Sequence, residues 1–204
     1  MKKILVAIIL YLFFSTSSFS HLQHYSGVNY LEYDLYRNNA LIGSHKYDFI
    51  KNGENLTVKS IVNFKITKFG IDLYKYFAES SEKYEKNIFK SFSSNTLQNK
   101  KNKYVKITLN SKQDKLKIDG SSYKGDANID SMVGTWWNHE IVKAKAQISA
   151  ISGRIIDQEV KFLGKKQIEI NGKTYEALHF KFLSSDESLP DNKKLNTDIW
   201  YDAN

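Results

Sequence analysis

Cysteine is absent from the chain. Disulfides, thiol nucleophiles and thiolate metal sites are therefore excluded, as is a lipid-modified cysteine behind a leader. Proline occurs once, at Pro190, which excludes a proline-rich linker array. No glycine-rich phosphate loop, no strained Gly-x-Ser-x-Gly elbow and no fixed-period repeat is present. Long apolar runs are missing except at the start, where Ile4 to Phe14 follows Lys2-Lys3. That stretch falls short of the ~20 residues needed to cross a bilayer. A positive start, a short apolar run and the small residues of Ser18-Phe19-Ser20 predict a signal peptide over 1–20, cleaved before His21. A single exported domain over 21–204 follows, expected in the periplasm of a Gram-negative bacterium, with secretion beyond the cell as the alternative. After cleavage no integral membrane segment is expected.

The 204 residues are 41% hydrophobic and 25% charged, enough for one buried core. The formal charge of +8 becomes +6 without Lys2 and Lys3. Lys100, Lys101, Lys103 and Lys106 could attract an anion, but lysine alternates with Asp, Glu and Asn along the chain as on a solvated face. No nucleic-acid partner is expected.

What the chain does contain is period-two alternation closed by turn signals, which predicts an all-β, mainly antiparallel fold. Leu31, Tyr33 and Leu35 alternate with Glu32 and Asp34, and Asn38-Asn39 turns into a strand over 40–50. Beyond Asn52-Gly53, Leu56, Val58, Val62, Phe64 and Ile66 share one face, with Ser60 interrupting. The strand from Ile71 places Ile71, Leu73 and Phe77 opposite Tyr74 and Tyr76, then continues over 79–86 as a polar strand expected to be exposed. Tyr30, Tyr36, Tyr74, Tyr76 and Tyr104 are read as lying opposite the cleaner apolar faces. Phe89 to Leu97 and Tyr104 to Leu109 form a hairpin, and Leu116 to Ile118 a shorter strand. Gly164-Lys165-Lys166 is read as a turn, and Asn171-Gly172 as the strongest hairpin signal. The return arm would turn Leu178, Phe180 and Phe182 inward and His179 outward. Ile129 to Val142 departs from the pattern: Ile129, Met132, Val133, Trp136, Glu140 and Ile141 fall near helical spacing, which predicts one short helix or an irregular plug. The final strand, Leu195 to Tyr201, is followed by a turn signal without a return arm, so a C-terminal truncation is expected.

Tyr33 to Gly43, Tyr74-Lys75-Tyr76 running into Glu82 and Tyr84, Ser94-Asn95-Thr96, Trp136-Trp137-Asn138, Gly153 and Trp200-Tyr201-Asp202 resemble, in order and spacing, domain-of-unknown-function family 6134. The resemblance implies a curved antiparallel sheet, a β-roll or half-open barrel, similar in style to family 3108 and to half-barrel lipoprotein carriers. It supplies no catalytic residue.

Trp136, Trp137, His139 and Glu140 form the densest cluster of large aromatics, base and carboxylate, and Trp200 adds a third indole. Stacking on a ligand, with His139 and Glu140 orienting its polar end, is one reading. The alternative is that Trp136 plugs the sheet and Trp137 covers it. A zinc helix would need a second histidine where Lys143 stands, so no metal is expected. His21, His24, His45 and His179 are scattered, and Ser91, Ser93 and Ser94 lack a base and an oxyanion hole. Asp198 and Asp202 flank Trp200 on one strand face, too far apart to share a proton. No catalytic residue and no cofactor is assigned. The leading expectation is a non-enzymatic module binding an apolar or amphipathic ligand, a lipid for example, or an envelope protein. The alternatives are an envelope glycan- or lipid-acting hydrolase using His139 and Glu140, and a purely structural assembly role.

Overall fold

Alternation along the first two thirds of the chain becomes an eight-stranded antiparallel meander: β1 (Tyr30–Arg37), β2 (Ala40–Asn52), β3 (Asn55–Lys68), β4 (Ile71–Glu85), β5 (Ile88–Gln98), β6 (Lys101–Asn110), β7 (Lys115–Gly120) and β8 (Lys124–Asn128). The computed structural model describes Tyr25 and residues 27–203, so the predicted leader lies outside the described residues. Asn38-Asn39, Lys86-Asn87 and Asn171-Gly172 take positive φ at both turn positions, the backbone that a two-residue hairpin needs. Strand direction therefore reverses sharply, and each strand pairs with the next.

A second sheet of five strands has the order β13-β12-β11-β10-β9. It contains β9 (Ser131–Val133), β10 (Ala146–Ile148), β11 (Ile155–Ile170), β12 (Lys173–Ser184) and β13 (Asn196–Asp202). β9 and β10 run parallel, joined by the connection that carries both central tryptophans. Neither sheet closes into a barrel.

Register fixes what the first sheet presents to the second. Phe49, Val58, Glu82, Phe92, Ile107 and Ile118 are neighbours across β2 to β7, one per strand. The next row along the same face is Tyr47, Ser60, Ser80, Ser94 and Val105. Beyond it lie His45, Val62, Ala78, Thr96 and Lys103, and then Gly43, Phe64, Tyr76 and Gln98. The first row is covered. Phe92, Val105, Ile107 and Ile118 pack with Val133 and Ile148 of the second sheet, while Tyr47, Phe49, Val58 and Tyr84 pack around Trp137. Burial of each such side chain stabilises the fold by about 1.5–3 kcal/mol.

Several sequence-based expectations need correction. The helix expected near Ile129 to Val142 contracts to a five-residue 3-10 turn, His139–Lys143, capped by the Asn138 side chain. The rest is β9 and extended chain, because Trp136 at φ +66° cannot continue a helix. Gly164-Lys165-Lys166 is not a turn; a bulge between Phe162 and Gly164 lets β11 run on to Ile170. The expected exposed strand over 79–86 turns Glu82 and Tyr84 into the interior, with 3% and 6% of their surface accessible. Tyr74 and Tyr76 share a face with Phe64 instead of opposing it, and Phe64 and Tyr76 stack at 4.9 Å between ring centres. His179 is buried, because the Trp200 ring lies over it at 4.4 Å and 13°.

Candidate functional site

Residues 134–138 cross the inner face of the first sheet, and positive φ at Trp136 turns consecutive indoles to opposite layers. Trp137 enters the first sheet, edge-on to Phe49, Tyr84 and Tyr25 at 5.2–5.9 Å. Trp136 packs edge-on against Phe182 of β12 at 5.2 Å. The expected roles are exchanged: Trp137 is the plug, at 3% exposure, and Trp136 is the half-buried cover.

The segment is held by polar contacts on both sides. Glu82 accepts the Trp137 indole N–H at 2.9 Å, the Thr135 hydroxyl at 3.1 Å and the Tyr84 hydroxyl. Tyr47 donates to the Thr135 carbonyl and Tyr25 to the Trp137 carbonyl. From the second sheet, Tyr201 donates to the Trp136 carbonyl at 3.1 Å. Burial pushes the Glu82 carboxyl above its ordinary range, partly offset by its three donors. Burial also pushes Tyr25 up to about 12 and raises Tyr47 and Tyr201. These phenols stay protonated and keep donating at neutral pH. The network locks the backbone of this segment in place.

Trp137 and His139 thus meet around Tyr25, with Tyr201 edge-on to His139 and Glu140 beside it, whereas the Trp136 indole lies in the other layer against Phe182. His139 Nδ1 lies 3.3 Å from the Tyr25 hydroxyl, and its Nε2 lies 3.3 Å from Glu140. Glu140 is also paired to Lys143 at 2.9 Å. Trp200 is not part of this group. It faces the other side of β13 from Tyr201, where His179 Nε2 meets Asp198 at 2.8 Å and Lys181 meets the same carboxylate at 2.6 Å. Lys181 and then His179 hold the Asp198 carboxyl below its usual range. Among the described residues no group of three or more His, Asp or Glu side chains could hold a metal ion.

Sequence reasoning missed a strip of small residues further along the inner face. Ser60, Ser80 and Ala78 are small residues at the centre of β3 and β4, between His45 on one side and the Phe64–Tyr76 stack beyond. Val62, Phe64, Ile66, Tyr74, Tyr76 and Ala78 are only half-buried, while Ser60, Ser94 and Thr96 on the same face are buried. His45 Nε2 lies 2.8 Å from the Ser60 hydroxyl, and burial pushes the imidazole down to about 4. Gln98 and Lys103 close the β5–β6 side with polar groups. The signal was available as alternation of Ala78, Ser80, Glu82 and Tyr84 in one strand, but small residues carry little hydrophobic weight.

Two shallow grooves of about 670 and 480 Å³ lie toward the outer side of the first sheet and share Phe77 and Leu97. Neither touches Trp136, Trp137, His139, Glu140 or Trp200. No helix among the described residues is long and apolar enough to cross a membrane.

Residues 33–204 match the family model described as Domain of unknown function (DUF6134). No curated protein and no solved structure matches the chain at a significant level.

Proposed function

For a chain that belongs to the DUF6134 family, we propose an exported, non-enzymatic binding module, working in the periplasm, that takes an amphipathic ligand with an acyl chain. The observation that carries this reading is the change of residue type along one sheet face. A covered row with Phe49, Phe92 and Ile107 gives way to small Ser60, Ser80 and Ala78, and then to the half-buried Phe64–Tyr76 wall. Small residues at the centre of a sheet leave room, and aromatic and aliphatic neighbours favour a hydrocarbon guest. Lys103, on the same face by register, suits an anionic head group.

The test is displacement of a fluorescent fatty acid from the purified chain, with native mass spectrometry for co-purified lipid. Ala78→Trp and Ser80→Trp put bulk where the small residues stand, and each is expected to weaken binding at least tenfold. Lys103→Glu is expected to weaken anionic ligands and spare neutral ones. A wild-type chain that neither binds nor co-purifies with lipid overturns the reading. The hydrolase alternative assigns acid/base roles to His139 and Glu140, and fails if His139→Ala leaves every measured turnover unchanged.

A further inference from the structure

The tip of the β3–β4 hairpin breaks the rule that the other tight turns obey. Asn38-Asn39, Lys86-Asn87 and Asn171-Gly172 place polar residues or glycine at the left-handed positions, whereas here Phe69 precedes Gly70 at φ +52°. A bulky aromatic is a poor occupant of that backbone region. It is also 91% exposed, so its ring gains nothing from the core. Ile71 and Leu73 beside it are 65% and 56% exposed. Strain combined with exposure in one side chain points to a role outside the folded chain.

The surroundings narrow the partner. In an antiparallel meander the β1–β2, β3–β4 and β5–β6 turns lie at one end of the sheet. The Asn99 side chain accepts the Lys75 N–H at 2.8 Å and so ties the last of these turns to β4. At this end Leu41 is 60% exposed, and Lys65, Lys68, Lys100 and Lys101 are all exposed with no ion pair among the described residues. Lys68 Nζ stands 5.4 Å from the Phe69 ring centre. The acidic neighbour Asp72 is already held by Lys75 at 2.9 Å and by Thr67 at 2.8 Å. The opposite end is built differently. There Lys86 pairs with Glu54 and Lys90 with Glu85.

We propose that this end of the first sheet docks on the surface of an anionic phospholipid bilayer, with Phe69 and Ile71 entering the interface and Lys65, Lys68, Lys100 and Lys101 meeting head groups. An aromatic tip beside unpaired lysines matches both layers of such a surface, apolar below and anionic above. Phe69 and these lysines are not among the residues proposed to hold the acyl ligand, so either proposal can fail alone.

The test is flotation of the full chain with vesicles of phosphatidylglycerol and phosphatidylethanolamine, against vesicles of phosphatidylcholine alone. Wild type and variants are produced identically, so the apolar N-terminal stretch contributes equally to all. Phe69→Asn suits the turn better than phenylalanine does, so it folds at least as well and is expected to bind anionic vesicles at least tenfold more weakly. Lys65→Glu with Lys68→Glu is expected to do the same, and 0.5 M salt to reduce wild-type binding. Phe69→Trp is expected to shift its emission to the blue on anionic vesicles only. Equal binding by wild type and Phe69→Asn, or binding indifferent to phosphatidylglycerol content, overturns the proposal. So does lipid-free dimerisation that Phe69→Asn abolishes, since it would give the tip to a second copy of the chain.

Discussion

The Glu82 carboxylate accepts the indole N–H of Trp137 at 2.9 Å across 55 residues of sequence, deep in the first sheet. This one contact joins the C-terminal part of β4 to the connection between β9 and β10. It also places a carboxyl group where water does not reach, which gives it consequences for stability and for its pH dependence.

Glu82→Ala strands the Trp137 N–H and the Thr135 and Tyr84 hydroxyls, and is expected to cost about 2–4 kcal/mol in urea unfolding. Glu82→Gln keeps an acceptor and should stay within about 1 kcal/mol of wild type at pH 4. Because burial raises the Glu82 carboxyl in the folded state, its contribution is fully present below the ordinary value near 4.5. That contribution falls as pH rises, until the buried group itself ionises. Unfolding midpoints between pH 4.5 and 8 should therefore decline in wild type more than in Glu82→Gln. Parallel profiles would show that the group ionises normally.

His45 acts in the opposite direction. Its imidazole is pushed down to about 4 by burial, so the folded chain favours the neutral ring. Stability from this residue is present above about 6.5, the unfolded value, and is lost as pH falls toward 4. His45→Gln should flatten the wild-type decline between pH 6.5 and 4.5, above the range in which carboxylates dominate. An unchanged slope in thermal melts would refute the assignment.

Gly43 permits β2 and β3 to approach closely. A Cβ there would lie 2.1 Å from the Asn63 carbonyl oxygen and 2.6 Å from Phe64 Cα, both backbone-fixed. Gly43→Ala must part the strands and is expected to cost about 3 kcal/mol or more. A melting temperature within a degree of wild type would contradict this.

Trp200 covers His179 with a stacked ring. Trp200→Ala is expected to cost about 1–2 kcal/mol and to make the His179 ring accessible to a histidine-directed reagent such as diethyl pyrocarbonate. Protection of His179 in the variant would show that other groups bury it.

Alternation made the β1–β2 and β11–β12 hairpins legible, since the turns at Asn38-Asn39 and Asn171-Gly172 leave the backbone few alternatives. Glu82 was hidden for a physical reason. A charged residue at an inner position looks the same in sequence as one facing solvent, and its donors at Thr135 and Trp137 arrive from a distant segment. β9 and β10 have three residues each, too few for a period to show. The tryptophans were found as a pair, but their division of labour depends on the positive φ of Trp136, which no neighbouring glycine announced. His179 read as outward because Lys181 shares its face, but the ring of Trp200 from β13 lies over it.

Residues 134–138 act as a rivet through both layers, with Glu82 and Tyr47 gripping from one side and Tyr201 from the other. Prising the layers apart at that point means breaking all of these fastenings together.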